Sequence, residues 1–231
     1  MGFFNFGYLL FMLPGLLLSI IASIAVKSAY NKWSQIRNAR NVTGLEVADY
    51  LKNQNDLNNV RLAQTQGSLS DHYDPRSKTL ALSQGVANQP SVAAMAIAAH
   101  ELGHAQQDKE NYVPMRFRRV LVPVVNIGSN IGMILVMAGL ILNLLGLATI
   151  GIILFASTTL FSLITVPVEL NASRRAKVML ERSQLITSEE ERKGVNKVLN
   201  AAAWTYVAGL VTSIMQLLYY VSLVSGGRRR S

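Results

Sequence analysis

The residues that could do chemistry lie together in His100-Glu101-Leu102-Gly103-His104, within the longer stretch Ala98 to Gln107. That stretch has no Pro and only one Gly, and its flanks are Ala and Gln, so a helix is expected. Residues four apart on a helix stand one turn above the other on a single face, so His100 and His104 can share one Zn²⁺. Glu101 then lies near enough to take a proton from a metal-held water while standing off the ligand row, the place of a general base. Patterns of five residues also arise by chance. Two features argue against chance here: the flanking Ala94, Ala96, Ile97, Ala98 and Ala99 suit a helix buried among others, and two of the chain's three histidines fall in the pattern.

A catalytic zinc takes three protein ligands and keeps one position open. The chain has no cysteine, which excludes disulfides, thiolate ligation and a cysteine nucleophile, so the third ligand must be a carboxylate or the remaining histidine. Glu169 is the first acid after an uncharged run from Val120 to Val168. A carboxylate directly after Pro167 and Val168, at the end of an apolar span, is costly unless partnered, and metal ligation supplies a partner. The alternative is an acid facing water at a membrane boundary.

These residues need elements to position them, and the composition says which kind. Of 231 residues 50% are hydrophobic and only 15% charged, which marks an integral membrane protein. The net charge of +9 gathers beside apolar runs, where it faces lipid headgroups and sets topology, so nucleic acid is not the expected partner. Residues 1–26 carry no charge and read as a retained transmembrane anchor rather than a cleaved leader. Lys27, Lys32, Arg37 and Arg40 follow and place its end in the cytoplasm.

Residues 27–119 form the expected protease region. Thr43 caps a short amphipathic helix, Asp74-Pro75-Arg76-Ser77 makes a turn, and Thr79 to Leu82 is a strand of a small antiparallel sheet; Ser91 caps the metal helix. Residues 120–168 are too long for one span, and Asn143 with Gly146 marks the break of a transmembrane hairpin. Arg174, Arg175 and Lys177 return its far end to the basic side. Residues 169–200 carry the third ligand and a capping box at Ser188 to Glu191. Residues 201–231 hold a fourth apolar stretch and the basic tail Arg228-Arg229-Arg230, which runs against the charge rule if that stretch crosses.

The set Asp71-His72-Tyr73-Asp74-Pro75, the HExxH pattern and Pro167-Val168-Glu169-Leu170-Asn171-Ala172-Ser173 resembles the bacterial membrane-bound neutral zinc metallopeptidases of the YugP type, over nearly the whole chain. More distantly it is similar to membrane gluzincins of the HtpX and CAAX-protease kind. In that wider group the glutamate opens an ExxxD pattern whose aspartate supports a metal-binding histidine; here Ser173 stands at that position, leaving support to a hydroxyl or to Asn171. The resemblance implies peptide-bond hydrolysis with Zn²⁺ on His100, His104 and Glu169. It also brings forward His72 and Tyr73 as hydrogen-bond donors to a developing oxyanion, against a purely structural role near a turn. Thr79 to Leu82 could be an edge strand for an extended substrate, or only a hairpin arm. Asn126, Gly128, Ser129, Asn130 and Gly132 form a polar, small-residue stripe better suited to helix packing than to a channel.

The expectation is thus a mainly α integral membrane protein with about four transmembrane helices, a small antiparallel β-sheet and a gluzincin-like core. It is a multi-pass protein of the bacterial plasma membrane whose active site faces the cytoplasm. Its partners are the lipid bilayer and a peptide or protein substrate, membrane-associated ones included. Two rivals stand beside the endopeptidase: a non-catalytic membrane adaptor or chaperone-like protein with a structural zinc site, and a transporter or channel subunit using the polar stripe. Against the latter, no acid or base lies within the expected bilayer core.

Overall fold

The computed structural model describes residues 6–228. Met1 to Asn5 of the expected anchor and Arg229 to Ser231 of the basic tail lie outside them. In chain order the elements are helices α1 (Phe6–Trp33) and α2 (Gly44–Gln54), strands β1 (Arg61–Thr65), β2 (His72–Asp74) and β3 (Thr79–Ser83), a helical turn α3 (Gln84–Ala87), and helices α4 (Val92–Lys109), α5 (Val113–Ile141), α6 (Leu145–Arg182) and α7 (Glu189–Arg228). Among the described residues four helices are long and apolar enough to cross a membrane: Gly7–Trp33, Val113–Ile141, Leu145–Arg182 and Glu189–Gly226.

The chain divides into two compact units. The first holds α1 up to Ile21, Pro114–Pro167 and α7 from Thr205. Here α5 and α6 form the expected hairpin, turning between Ile141 and Leu145 through Asn143 in the left-handed region at φ 54°. The small-residue stripe does packing work: Gly128 and Gly132 are buried against Leu154, Ser157, Gly151 and Phe155 of α6. Asn126 and Asn130 are exposed. An aromatic cluster of Phe155, Tyr219 and Tyr220 closes around Val136, and Tyr8 meets Tyr219 edge-on at 5.0 Å.

The second unit comprises Ala22–Val113 and Val168–Trp204. Its core is conventional, with Leu51, Leu57, Leu80, Leu82, Met95, Leu102, Leu180 and Leu199 fully buried. Helix starts follow the sequence signals. Thr43 and Glu46 form a reciprocal capping box on α2, the Ser91 hydroxyl accepts the Ala94 amide on α4 at 3.1 Å, and Ser188 with Glu191 does the same for α7.

The sheet corrects two expectations. It is mixed rather than antiparallel: β2 pairs β3 antiparallel, with Tyr73 opposite Leu80, whereas β1 pairs β3 parallel, with Leu62 opposite Leu80. The strand order β1-β3-β2 also makes Thr79 to Leu82 the central strand, not an edge. Both follow from burial. Leu80, Ala81, Leu82 and Ser83 are all buried, so β3 seeks partners on both sides and leaves the more exposed β1 and β2 at the edges. Once β2 returns as a hairpin arm on one side, β1 is left the other, and it runs the same way as β3 because the chain passes through β2 between them.

Candidate metal centre

The metal motif lies on α4, and its stretch from Val92 to Ala99 is almost wholly buried against α2, α3 and the sheet. Small residues allow this, since Ala93, Ala94, Ala96, Ala98 and Ala99 let neighbouring backbones come close. Gly103 is the extreme case. A Cβ placed there would come 2.5 Å from the carbonyl oxygen of Ala172, so only glycine lets α4 approach α6 this closely at the point where both carry site residues.

That approach brings His100, His104 and Glu169 together. One ligand atom from each lies within 4.8 Å of the others. Glu169 Oε2 is 3.3 Å from His100 Nε2 and 3.4 Å from His104 Nε2. The carboxylate is 2% exposed, inside a helix that runs unbroken through Pro167. Burial disfavours charge on His104, but the neighbouring Glu169 carboxylate outweighs it and raises the imidazole above its ordinary 6.5.

Both histidines are held from behind. His104 Nδ1 is 3.0 Å from Gln107 Oε1. The Gln107 amide nitrogen donates to the Val168 carbonyl at 2.8 Å and to Asn171 Oδ1 at 3.0 Å, and Arg175 Nε donates to the same Asn171 oxygen at 2.7 Å. His100 Nδ1 is 3.2 Å from the Ser173 hydroxyl. Two imidazoles whose Nδ1 atoms are hydrogen-bonded and whose Nε2 atoms converge with a buried carboxylate form a donor set that fits Zn²⁺, which takes His nitrogen and carboxylate oxygen in just such open sites.

Glu101 follows His100 on α4 and is buried, at 8% exposure. His72 and Tyr73 are not part of the cluster. His72 is exposed on β2, with Nδ1 2.8 Å from the Ser70 carbonyl. Tyr73 is buried and donates its hydroxyl to Asp108 at 2.9 Å, an acid that also pairs with Lys78. The neighbouring acids of that motif are turn and cap groups: Asp71 accepts the Ser83 amide at 2.7 Å, and Asp74 accepts the Arg76 amide at 2.9 Å.

Sequence reasoning passed over Gln107. The sequence offers little signal for it beyond its place one turn after His104, because Gln106, Asp108 and Lys109 beside it make that end of α4 polar.

A family model described as "Putative neutral zinc metallopeptidase" matches residues 8–225. The chain is 41% identical over 211 residues to "Putative membrane protease YugP" of Bacillus subtilis (strain 168), covering 91% of this chain and 93% of that protein. No solved structure matches it. With the match running across both the span-length helices and the His-His-Glu cluster, the chain belongs to this family of neutral zinc metallopeptidases.

Proposed function

We propose that the protein is a zinc-dependent endopeptidase of the membrane, with His100, His104 and Glu169 as the metal ligands and Glu101 as the general base. The observation that carries this reading is the convergence of two Nε2 atoms and one carboxylate oxygen within 4.8 Å. Zinc bound there would supply Lewis acidity, making water a nucleophile near neutral pH and polarising a carbonyl. The chain's own residues do the rest. The histidines and Glu169 fix the site, while the Glu101 carboxylate takes a proton from the attacking water and delivers it to the amine nitrogen leaving the scissile bond. Internal cleavage of a protein chain is the activity this arrangement serves.

The cytoplasmic side is favoured by charge. Lys27 to Arg40, Arg116 to Arg119 and Arg174 to Lys177 flank the apolar runs next to the site-bearing segments. Residues 27–119 and 169–200 then make up the proteolytic part, and 1–26, 120–168 and 201–231 the membrane part. Tyr73 and His72 enter as neighbours of the motif: Tyr73 ties β2 to α4 through Asp108, which suits support of the metal helix better than donation to an oxyanion.

The test is digestion of an unfolded protein by detergent-purified, zinc-loaded chain, with the fragments read by mass spectrometry. Internal fragments that appear with wild type and vanish with Glu101→Gln support the proposal. Fragments undiminished in the variant, or release of terminal residues only, overturn it. Zinc bound without any hydrolysis would favour the adaptor reading instead.

A further inference from the structure

The hydrogen bonds behind His104 have directions that follow from groups admitting one role only. Arg175 carries donors and no acceptor, so the Asn171 atom 2.7 Å from its Nε is an oxygen. The Val168 carbonyl only accepts, so the Gln107 atom 2.8 Å from it is the amide nitrogen, which also reaches that Asn171 oxygen at 3.0 Å. The other end of the Gln107 amide must then be oxygen, and it lies 3.0 Å from His104 Nδ1. An oxygen there requires a proton on Nδ1. In the neutral ring Nε2, which faces Glu169, is then the nitrogen whose lone pair can bind a cation.

The chain of constraints is sheltered. Gln107 is 0% exposed, so water does not compete for its amide. Its outer end is anchored: Arg175 donates to Glu110 at 2.7 Å and stacks over Tyr112, with 6.0 Å from the guanidinium carbon to the ring centre. The other histidine lacks such a constraint, because the Ser173 hydroxyl beside His100 can donate or accept.

We propose that Gln107 is the positioning residue of the zinc site: it selects the His104 tautomer that coordinates through Nε2, and it ties α4 to the turn of α6 that carries Glu169. The second role follows from the peptide it holds, because Val168 immediately precedes the carboxylate ligand. This inference rests on the reading of His100, His104 and Glu169 as zinc ligands.

The experiment is zinc affinity by chelator competition on the full chain in detergent, with the visible spectrum of the Co²⁺-loaded protein recorded beside it. Gln107→Leu is expected to weaken zinc binding about 10- to 100-fold and to change the Co²⁺ spectrum. Asn171→Ala frees one end of the amide and gives a smaller loss in the same direction. A Gln107→Leu protein with wild-type affinity and spectrum overturns the proposal. Should the Leu variant fail to fold, Asn171→Ala with unchanged affinity and spectrum overturns it. If His104→Ala loses zinc while Gln107→Leu keeps it, only this proposal falls; if the wild type binds no zinc, it falls together with the ligand assignment.

Discussion

The first half of helix α4 and the span-length helices are both strongly apolar, for opposite reasons. Val92, Met95 and Leu102 of α4 are 0% exposed, covered by the protein itself, whereas Leu10, Ile134 and Ile153 of the other unit are 61%, 61% and 66% exposed. The first pattern is a core helix that has to satisfy every polar group it carries. The second is a surface made for hydrocarbon, where an apolar side chain loses nothing by facing outward. The difference shows in the polar residues. Gln107 and His104 of α4 are buried with their hydrogen bonds specified, while Asn126 and Asn130 of α5 are exposed.

Paired substitutions in the two regions test this contrast. Polar changes come first in size. Glu101→Gln should lower peptide hydrolysis about 10²- to 10⁴-fold with zinc retained, whereas Asn126→Ala combined with Asn130→Ala should leave it within about twofold; turnover and metal content measured together decide. A comparable loss in the asparagine variant would revive a role for the stripe. Apolar truncation is next. Leu102→Ala should cost about 2–5 kcal/mol by thermal or denaturant unfolding in detergent, and Ile153→Ala under about 0.5 kcal/mol. Equal costs would erase the distinction between core and lipid-facing surface.

Glycines give a finer version. Gly103→Ala drives a methyl toward the Ala172 carbonyl and should cost about 1–3 kcal/mol, with weaker zinc binding because α4 moves off α6. Gly209, with nothing within 4 Å of an added Cβ, should gain up to about 1 kcal/mol on substitution by Ala from helix propensity alone. Smallest is the Arg175–Glu110 pair at the edge of the buried network. The Arg175 hydrogen bond holds the Glu110 carboxyl below its ordinary 4.5. Its contribution is thus present above that value and lost as the pH falls through the lowered one. The Glu110 side chain is 47% exposed, so solvent screening keeps the contribution under about 1 kcal/mol. Unfolding curves of Glu110→Gln and wild type should differ slightly at pH 7 and converge under acid.

Local signals were legible in the sequence because their causes are local. The HExxH spacing, the caps at Thr43, Ser91 and Ser188 and the hairpin break at Asn143 each depend on a few neighbouring residues. The nearness of Glu169 to the two histidines takes a longer argument, but still a chemical one: an acid at that place needs a partner. The parallel pairing of β1 with β3 was not legible, since it depends on which strand is most buried after β2 has returned, a matter of non-local contacts. Nor was the division of labour between Ser173 and Asn171. Both were named as candidates to support a histidine, and only the fold puts Ser173 on His100 and Asn171 on Gln107. Gln107 stayed hidden because a glutamine near the end of a helix reads as an ordinary helix former until its burial is known.

The central claim is the three-ligand site, and metal content tests it most directly. Elemental analysis of detergent-purified wild type after zinc loading and removal of excess metal, beside His104→Ala and Glu169→Ala, should find about one zinc per chain in the wild type and little in either variant. A wild type without zinc, or a Glu169→Ala protein that keeps its full complement, would contradict the account.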